Sequence, residues 1–186
     1  MSRAVCFTDP SGSLRIGALD GDSVRDAWAA GPAGFVPTAA AWRELADASG
    51  PIHALGDVSL KMPVNPGKVV CIGLNYRDHA LETGKPLPEL PMVFAKYTSA
   101  LIGPGDTIVI PYDEPRTDYE AELAVVIGTR VRRATGAAAL AAVGGITAFN
   151  DVSGREAQFA GGGQFTRGKS YDTFGPIGPC IASVDG

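Results

Sequence analysis

Histidine is nearly absent: the 186-residue chain carries two, His53 and His79, beside three cysteines and two tryptophans. Cys6, Cys71 and Cys180 are scattered, odd in number and form no Cys-x-x-Cys pair. That argues against a disulfide framework and predicts buried thiols in a reducing compartment. No apolar run approaches the roughly 20 residues of a membrane span. Met1-Ser2-Arg3-Ala4-Val5 lacks a signal-peptide core, so a cytoplasmic protein is expected. A formal charge of -4 gives no electrostatic reason to expect nucleic acid. Neither G-x-x-x-x-G-K-[ST] nor G-x-G-x-x-G occurs, so the run Gly161-Gly162-Gly163 does not read as a nucleotide loop. What is present is a globular composition, 45% hydrophobic and 19% charged. Its 24 glycines and 14 prolines favour many short strands and turns over long helices.

Read in order, residues 1–63 form a small N-terminal α/β unit. Short strands are predicted at 4–7 and 14–19 around the turn Asp9-Pro10-Ser11-Gly12. Thr38 is placed to cap a helix over 39–48, with Trp42 and Leu45 on one face. His53, alone beside an apolar patch, reads as structural. A strand at 58–62 precedes the break at 63–67, taken as the boundary to a second unit, 64–186. That unit opens on the apolar strand 68–73. A short helix follows, with Asn75 as its cap and Gly84 as its stop. Strands are then predicted at 92–96, 107–110, 123–127 and 145–149, a turn at 100–106, and an alanine-rich helix at 135–143.

The chemistry concentrates between 117 and 151. In Asp118-Tyr119-Glu120-Ala121-Glu122, strand alternation puts Glu120 and Glu122 on one side. Two adjacent carboxylates at the mouth of a buried strand repel each other and resist desolvation. Either one is protonated, or both are solvated on an acidic face, or a cation lies between them. The next strand ends in Asn150-Asp151, adding a third carboxylate. With no converging Cys or His, that set suits a hard cation such as Mg2+ or Mn2+. His79 and Glu82 are i and i+3 on the predicted helix, a spacing that fits a general base with its orienting acid and equally an exposed ion pair. Ser153-Gly154-Arg155-Glu156 reads as a capping box, and Arg155 and Gln158 on the following helix share a face.

Several of these segments, taken in order, resemble one family. Gly73-Leu74-Asn75-Tyr76-Arg77-Asp78-His79, Leu101-Ile102-Gly103-Pro104-Gly105-Asp106, Asp118-Tyr119-Glu120-Ala121-Glu122-Leu123, Asn150-Asp151-Val152-Ser153-Gly154-Arg155 and Gly168-Lys169-Ser170-Tyr171-Asp172-Thr173-Phe174-Gly175-Pro176 are similar to motifs of the fumarylacetoacetate hydrolase family. The resemblance implies an α+β, mostly β fold, a mixed β-sandwich or β-roll around a divalent metal, usually in a homodimer. It implies metal ligands Glu120, Glu122 and Asp151, and His79 as catalytic base with Glu82 as its partner. Lys169 would be a further catalytic group, and Arg155, Gln158 and Thr173 would line the substrate side. The implied reaction is C–C hydrolysis of an acylpyruvate, a fumarylacetoacetate-like acid or another β-dicarbonyl or 2-oxo acid. Isomerase, decarboxylase or dehydratase chemistry on a related acid is the alternative, and a non-catalytic metal-binding module is a third reading. Catalytic domains of the family continue beyond the position of Gly186, so a C-terminally truncated chain is expected.

Overall fold

The computed structural model describes residues 1–82, 84 and 86–184, with the backbone alone for His79 and Glu82. In chain order the elements are β1 (Arg3–Thr8), β2 (Leu14–Asp20), β3 (Ser23–Ala29), α1 (Ala39–Ala46), β4 (Ile52–Ala54), β5 (Ser59–Lys61), β6 (Val69–Gly73), α2 (Arg77–Glu82), β7 (Met92–Lys96), β8 (Leu101–Ile102), β9 (Thr117–Asp118), β10 (Ala121–Ile127), α3 (Gly136–Leu140), β11 (Val143–Asn150), β12 (Ser153–Gly154), α4 (Arg155–Phe159), α5 (Phe165–Lys169) and β13 (Gly175–Ala182). Strands predominate and helices are short, in keeping with the glycine- and proline-rich composition.

One large sheet runs β10-β11-β13-β1-β2-β3-β4, with β5 also on β1 and β8 parallel to β13. The hairpin β6–β7 and the pair β9–β12 stand apart from it. The sheet crosses residue 63, because β1 meets β13 at Arg3↔Ala182 and Ala4↔Ile181. The main core crosses it too: Ile16, Phe35 and Leu45 pack in one cluster with Phe149, Ile177 and Ile181. α1 forms as its cap predicts, with Thr38 Oγ1 accepting from Ala41 N at 3.1 Å. Its Trp42 packs edge-on to Phe35 and donates from Nε1 to Gly144 O on β11 at 2.7 Å. His53 packs against the Phe7 ring, whose centroid is 5.8 Å away.

Four local expectations are corrected. Residues 107–110 are not a strand. Their backbone is irregular and is tied by Val109 N, which donates to Thr173 Oγ1 at 2.8 Å. The strand of that region is β8, inside the predicted turn, where Leu101 and Ile102 pair with Gly175 and Pro176. α2 starts at Arg77 rather than beside a cap at Asn75, and the Asn75 side chain bonds Glu122 instead. The capping box does not form: Gly154 is the N-cap of α4 and makes no side-chain bond there. The Ser153 hydroxyl donates to Asp151 O at 2.8 Å and is also engaged by Lys169. The second and third amides of α4 go to the buried Glu114, which accepts from Glu156 N at 3.0 Å and Ala157 N at 2.9 Å.

Candidate active site

The β10–β11 hairpin sets the site. Ala121 pairs with Asn150, so one step outward Glu120 lies opposite Asp151, and Asp151 N donates to Glu120 O at 2.9 Å. The two chains diverge there and pair again as β9 and β12, with Asp118 opposite Ser153 and Thr117 opposite Gly154. This short second ladder turns the chain into α4 and brings Arg155 beside Asp118. Gly154 is needed at the junction: a Cβ there would lie 2.7 Å from the Glu114 side chain. α5 then packs on α4 through Gly168, where a Cβ would be 2.6 Å from the Gln158 backbone. That close approach buries Lys169 at the end of α5.

Lys169 is the hub. Its Nζ donates to Glu120 Oε2 at 2.7 Å, Asp151 Oδ2 at 2.7 Å and Ser153 Oγ at 2.8 Å, with the Phe94 ring centroid 5.1 Å away. The second oxygen of each carboxylate has its own cation. Arg155 NH2 lies 2.8 Å from Glu120 Oε1, and Lys96 Nζ donates to Asp151 Oδ1 at 2.7 Å. Arg155 also grips Asp118 Oδ2, at 2.6 Å from NH2 and 3.1 Å from Nε, and donates to Gln158 Oε1 at 2.9 Å. Lys96 comes from the β6–β7 hairpin, whose register pairs Val69 with Lys96 and Cys71 with Phe94. Its side chain is 0% exposed, and its second acceptor is Val152 O at 3.0 Å. Burial lowers the Lys96 ammonium's pKa, and the Asp151 carboxylate opposes that.

Glu122 borders the same cluster and is held by Tyr76 and Asn75, which precede α2. Burial pushes its carboxyl above the usual range. Tyr76 and Asn75 pull it down, while the charges of Glu120 and Asp151 add to the rise. Cys71 shares this electrostatic neighbourhood: burial, then Asp151, push its thiol up to about 11 against the pull of Lys96 and Lys169.

Of the residues singled out from the sequence, Glu120, Glu122, Asp151, Arg155, Gln158 and Lys169 thus come together. Thr173 is not in this network. It sits at φ 70 in the loop after α5, and its hydroxyl holds residue 109. The side chains of His79 and Glu82 lie outside the described residues, although α2 itself begins just after the two residues that hold Glu122. Lys96 and Glu114 were missed from the sequence. Their only signal is a charged residue closing the apolar run Met92-Val93-Phe94-Ala95 and an acid followed by Pro115.

The donor set is all oxygen, which suits a hard divalent cation rather than a soft one. The raised Glu122 carboxyl, pressed by two neighbouring acids, is the group whose ionisation such a cation would favour. Among the described residues no three His, Cys, Asp or Glu side chains are arranged as a ready cage for an ion. Glu120 and Asp151 converge on the Lys169 ammonium instead.

The family model of the fumarylacetoacetate (FAA) hydrolase C-terminal region matches residues 68–185. The chain belongs to the fumarylacetoacetate hydrolase family. The matched span holds every site residue described above. A "putative hydrolase" of Burkholderia ambifaria is 45% identical over 183 residues, covering 95% of this chain and 64% of that protein. Another from the same species is 52% identical over 119 residues, 64% of this chain and 42% of that protein. Thus the chain spans between two fifths and two thirds of the length of these relatives. Among solved structures, 2-hydroxyhepta-2,4-diene-1,7-dioate isomerase from Mycobacterium marinum is 30% identical with a TM-score of 0.79, covering 100% of this chain and 68% of that one. Fumarylacetoacetate hydrolase from Exiguobacterium antarcticum is 33% identical with a TM-score of 0.78, covering 98% and 67%. These matches carry the α+β, mostly β fold expected of the family. No helix among the described residues is long and apolar enough to cross a membrane, which says nothing of β-barrels.

Proposed function

We propose that the whole protein is a divalent-metal-dependent hydrolase that cleaves a C–C bond in a β-dicarbonyl or 2-oxo acid of the acylpyruvate or fumarylacetoacetate type. The observation that carries this reading is the meeting of Glu120 and Asp151 around a buried cation, with Glu122 against the same cluster. Glu120, Glu122 and Asp151 would hold Mg2+ or Mn2+. When bound, such an ion would polarise the dicarbonyl oxygens and stabilise the charge that develops as the bond breaks.

The chain's own groups do the rest. Arg155, whose Nε and NH2 hold one carboxylate oxygen of Asp118, would present that same edge bidentately to a substrate carboxylate that takes the place of Asp118. Gln158 orients that guanidinium through its Oε1. Lys169 supplies N–H donors to a developing oxyanion. His79, with Glu82 as its partner, would take the proton of the attacking water. Thr173 contributes from the loop after α5. We place the enzyme in the cytoplasm, as a homodimer.

A second reading is isomerisation of a related 2-hydroxy-dienoic diacid. The likeness to the Mycobacterium marinum isomerase favours it, as does that to 5-carboxymethyl-2-hydroxymuconate delta-isomerase from Mycobacterium smegmatis, 31% identical with a TM-score of 0.78. Proton transfer at carbon needs the same carboxylates and base and no positioned water.

The test is a panel of acylpyruvates, oxaloacetate and hydroxymuconate-type diacids, run beside metal calorimetry. Glu120→Gln should lose most of its Mg2+ and Mn2+ affinity, and unchanged binding removes Glu120 as a ligand. His79→Ala should keep the metal and lose hydrolysis, so wild-type turnover removes His79 from the mechanism. Metal binding without turnover of any panel member leaves a non-catalytic metal-binding module.

A further inference from the structure

We propose that Lys169 is a built-in competitor of the divalent cation, so that metal loading and release of the Lys169 ammonium are a single exchange. This rests on the metal-site reading above and adds to it a second occupant of the same position. Glu120 and Asp151 each have one oxygen committed outward, Glu120 Oε1 to Arg155 at 2.8 Å and Asp151 Oδ1 to Lys96 at 2.7 Å. Each has one oxygen left facing the other acid, and both of those accept from Lys169 Nζ at 2.7 Å. Ser153 Oγ takes the third N–H of the ammonium at 2.8 Å. All three of its protons are therefore used, and the Lys169 side chain is only 3% exposed. This is a fully satisfied internal ion, not a surface lysine resting over a cleft.

A dication drawn to the same two oxygens meets that ammonium at contact distance. At an effective dielectric of about 20 the repulsion between a double and a single charge ~4 Å apart is many times RT, so the two do not share the position. In the metal-free protein Lys169 offsets the mutual repulsion of Glu120 and Asp151 and keeps them aimed at one point. Once displaced, its three N–H groups give up Glu120, Asp151 and Ser153 and are free for a substrate oxygen. The lysine thus links a stable pairing of the two acids to a metal-loaded site that is ready for substrate.

The exchange predicts that removing the ammonium tightens metal binding while weakening the metal-free fold. Mn2+ titration calorimetry and metal-free thermal melts of the wild type, Lys169→Met, Lys169→Arg and Ser153→Ala separate the outcomes. Lys169→Met should bind Mn2+ at least tenfold more tightly and melt lower without metal. Ser153→Ala, which removes one of the three acceptors, should shift affinity the same way by less, and Lys169→Arg should return it toward wild type. Equal or weaker Mn2+ binding by Lys169→Met overturns the exchange. If that variant does not fold, equal or weaker binding by Ser153→Ala overturns it alone. Flat titrations for every protein, wild type included, are a different failure: they remove the metal site itself and the exchange with it.

Discussion

Lys96 and Asp151 form a fully enclosed ion pair, Nζ to Oδ1 at 2.7 Å, with side chains 0% and 5% exposed. Lys169 takes the opposite oxygen of the same carboxylate. Asp151 is therefore held on both edges and cannot rotate away from Glu120. Lys96→Met removes one edge and leaves a buried carboxylate oxygen without its partner. Unpairing a buried ion costs on the order of 3 kcal/mol. Urea unfolding should show that loss, with an unchanged m-value. A loss below about 0.5 kcal/mol would mean that water or a side-chain shift replaces the lysine.

Glu114 acts at a distance from the carboxylates by fixing where α4 starts. It is 2% exposed and accepts from Glu156 N and Ala157 N, the amides that follow Arg155. Glu114→Ala leaves those amides without an acceptor, at a cost of about 2 kcal/mol for a strong helix cap. Because Arg155 is the first residue of α4, the apparent KM for a carboxylate substrate should rise more than kcat falls. Gly154→Ala should reproduce both effects, since its methyl group would collide with the Glu114 side chain. Equal stability of Glu114→Ala and the wild type would show that the cap is dispensable.

Part of this arrangement was readable from residue order. The proximity of Glu120 to Asp151 follows from two adjacent β-segments joined in antiparallel register, and the Thr38 cap follows from local chemistry. Residues 175–182 concealed β13, because Gly175, Pro176, Gly178 and Pro179 argue against a strand while tertiary pairing with β11 and β1 imposes one. The box at Ser153 failed for a related reason: its hydroxyl had a stronger use at Lys169 than at the α4 amides. Lys96 was illegible, since a charged residue after an apolar run ordinarily reaches water, and so was Glu114, which in Asp113-Glu114-Pro115 reads as a solvated loop acid. Only the packing of the β6–β7 hairpin against Asp151 and α5, or of residues 114–116 against α4, turns such residues inward. The family motifs, not spacing, singled out Lys169 and Thr173, and of these only Lys169 joins the cluster.

Cys71 should be chemically quiet. Burial, followed by the Asp151 charge, raises its thiol from the ordinary 9.0 to about 11. At pH 8 the folded chain then carries about a hundredfold less thiolate at this position than an unfolded one. Iodoacetamide labelling followed by peptide mass analysis should show Cys71 protected in buffer and modified in urea. The folded form holds this proton more tightly than the unfolded form. Its contribution to stability is therefore complete below about pH 9 and is lost as pH rises from 9 towards 11. Cys71→Ser should flatten that part of the stability profile. Rapid labelling at pH 8 in buffer would show that this half-buried thiol is open to the reagent and not held protonated.

Residues 1–63 should not be removable without loss of the rest. Deleting them bares the β13 edge that pairs with β1 and strips Ile16, Phe35 and Leu45 from the core cluster that contains Phe149, Ile177 and Ile181. It also removes the Trp42 bond to Gly144. The expected product is insoluble, or shows no cooperative melt by circular dichroism. A sharp melt for residues 64–186 alone would establish that segment as an independent folding unit.

β10 pairs with β11 on one side and terminates the large sheet on the other. Its outward row, Leu123, Val125 and Ile127, is 58%, 52% and 54% exposed. Among the described residues, oil and an open strand edge thus lie along one margin, an adhesive seam rather than a wetted rim. Dilution will keep such a seam apart and crowding will close it, so the state of association of this polypeptide will follow its concentration.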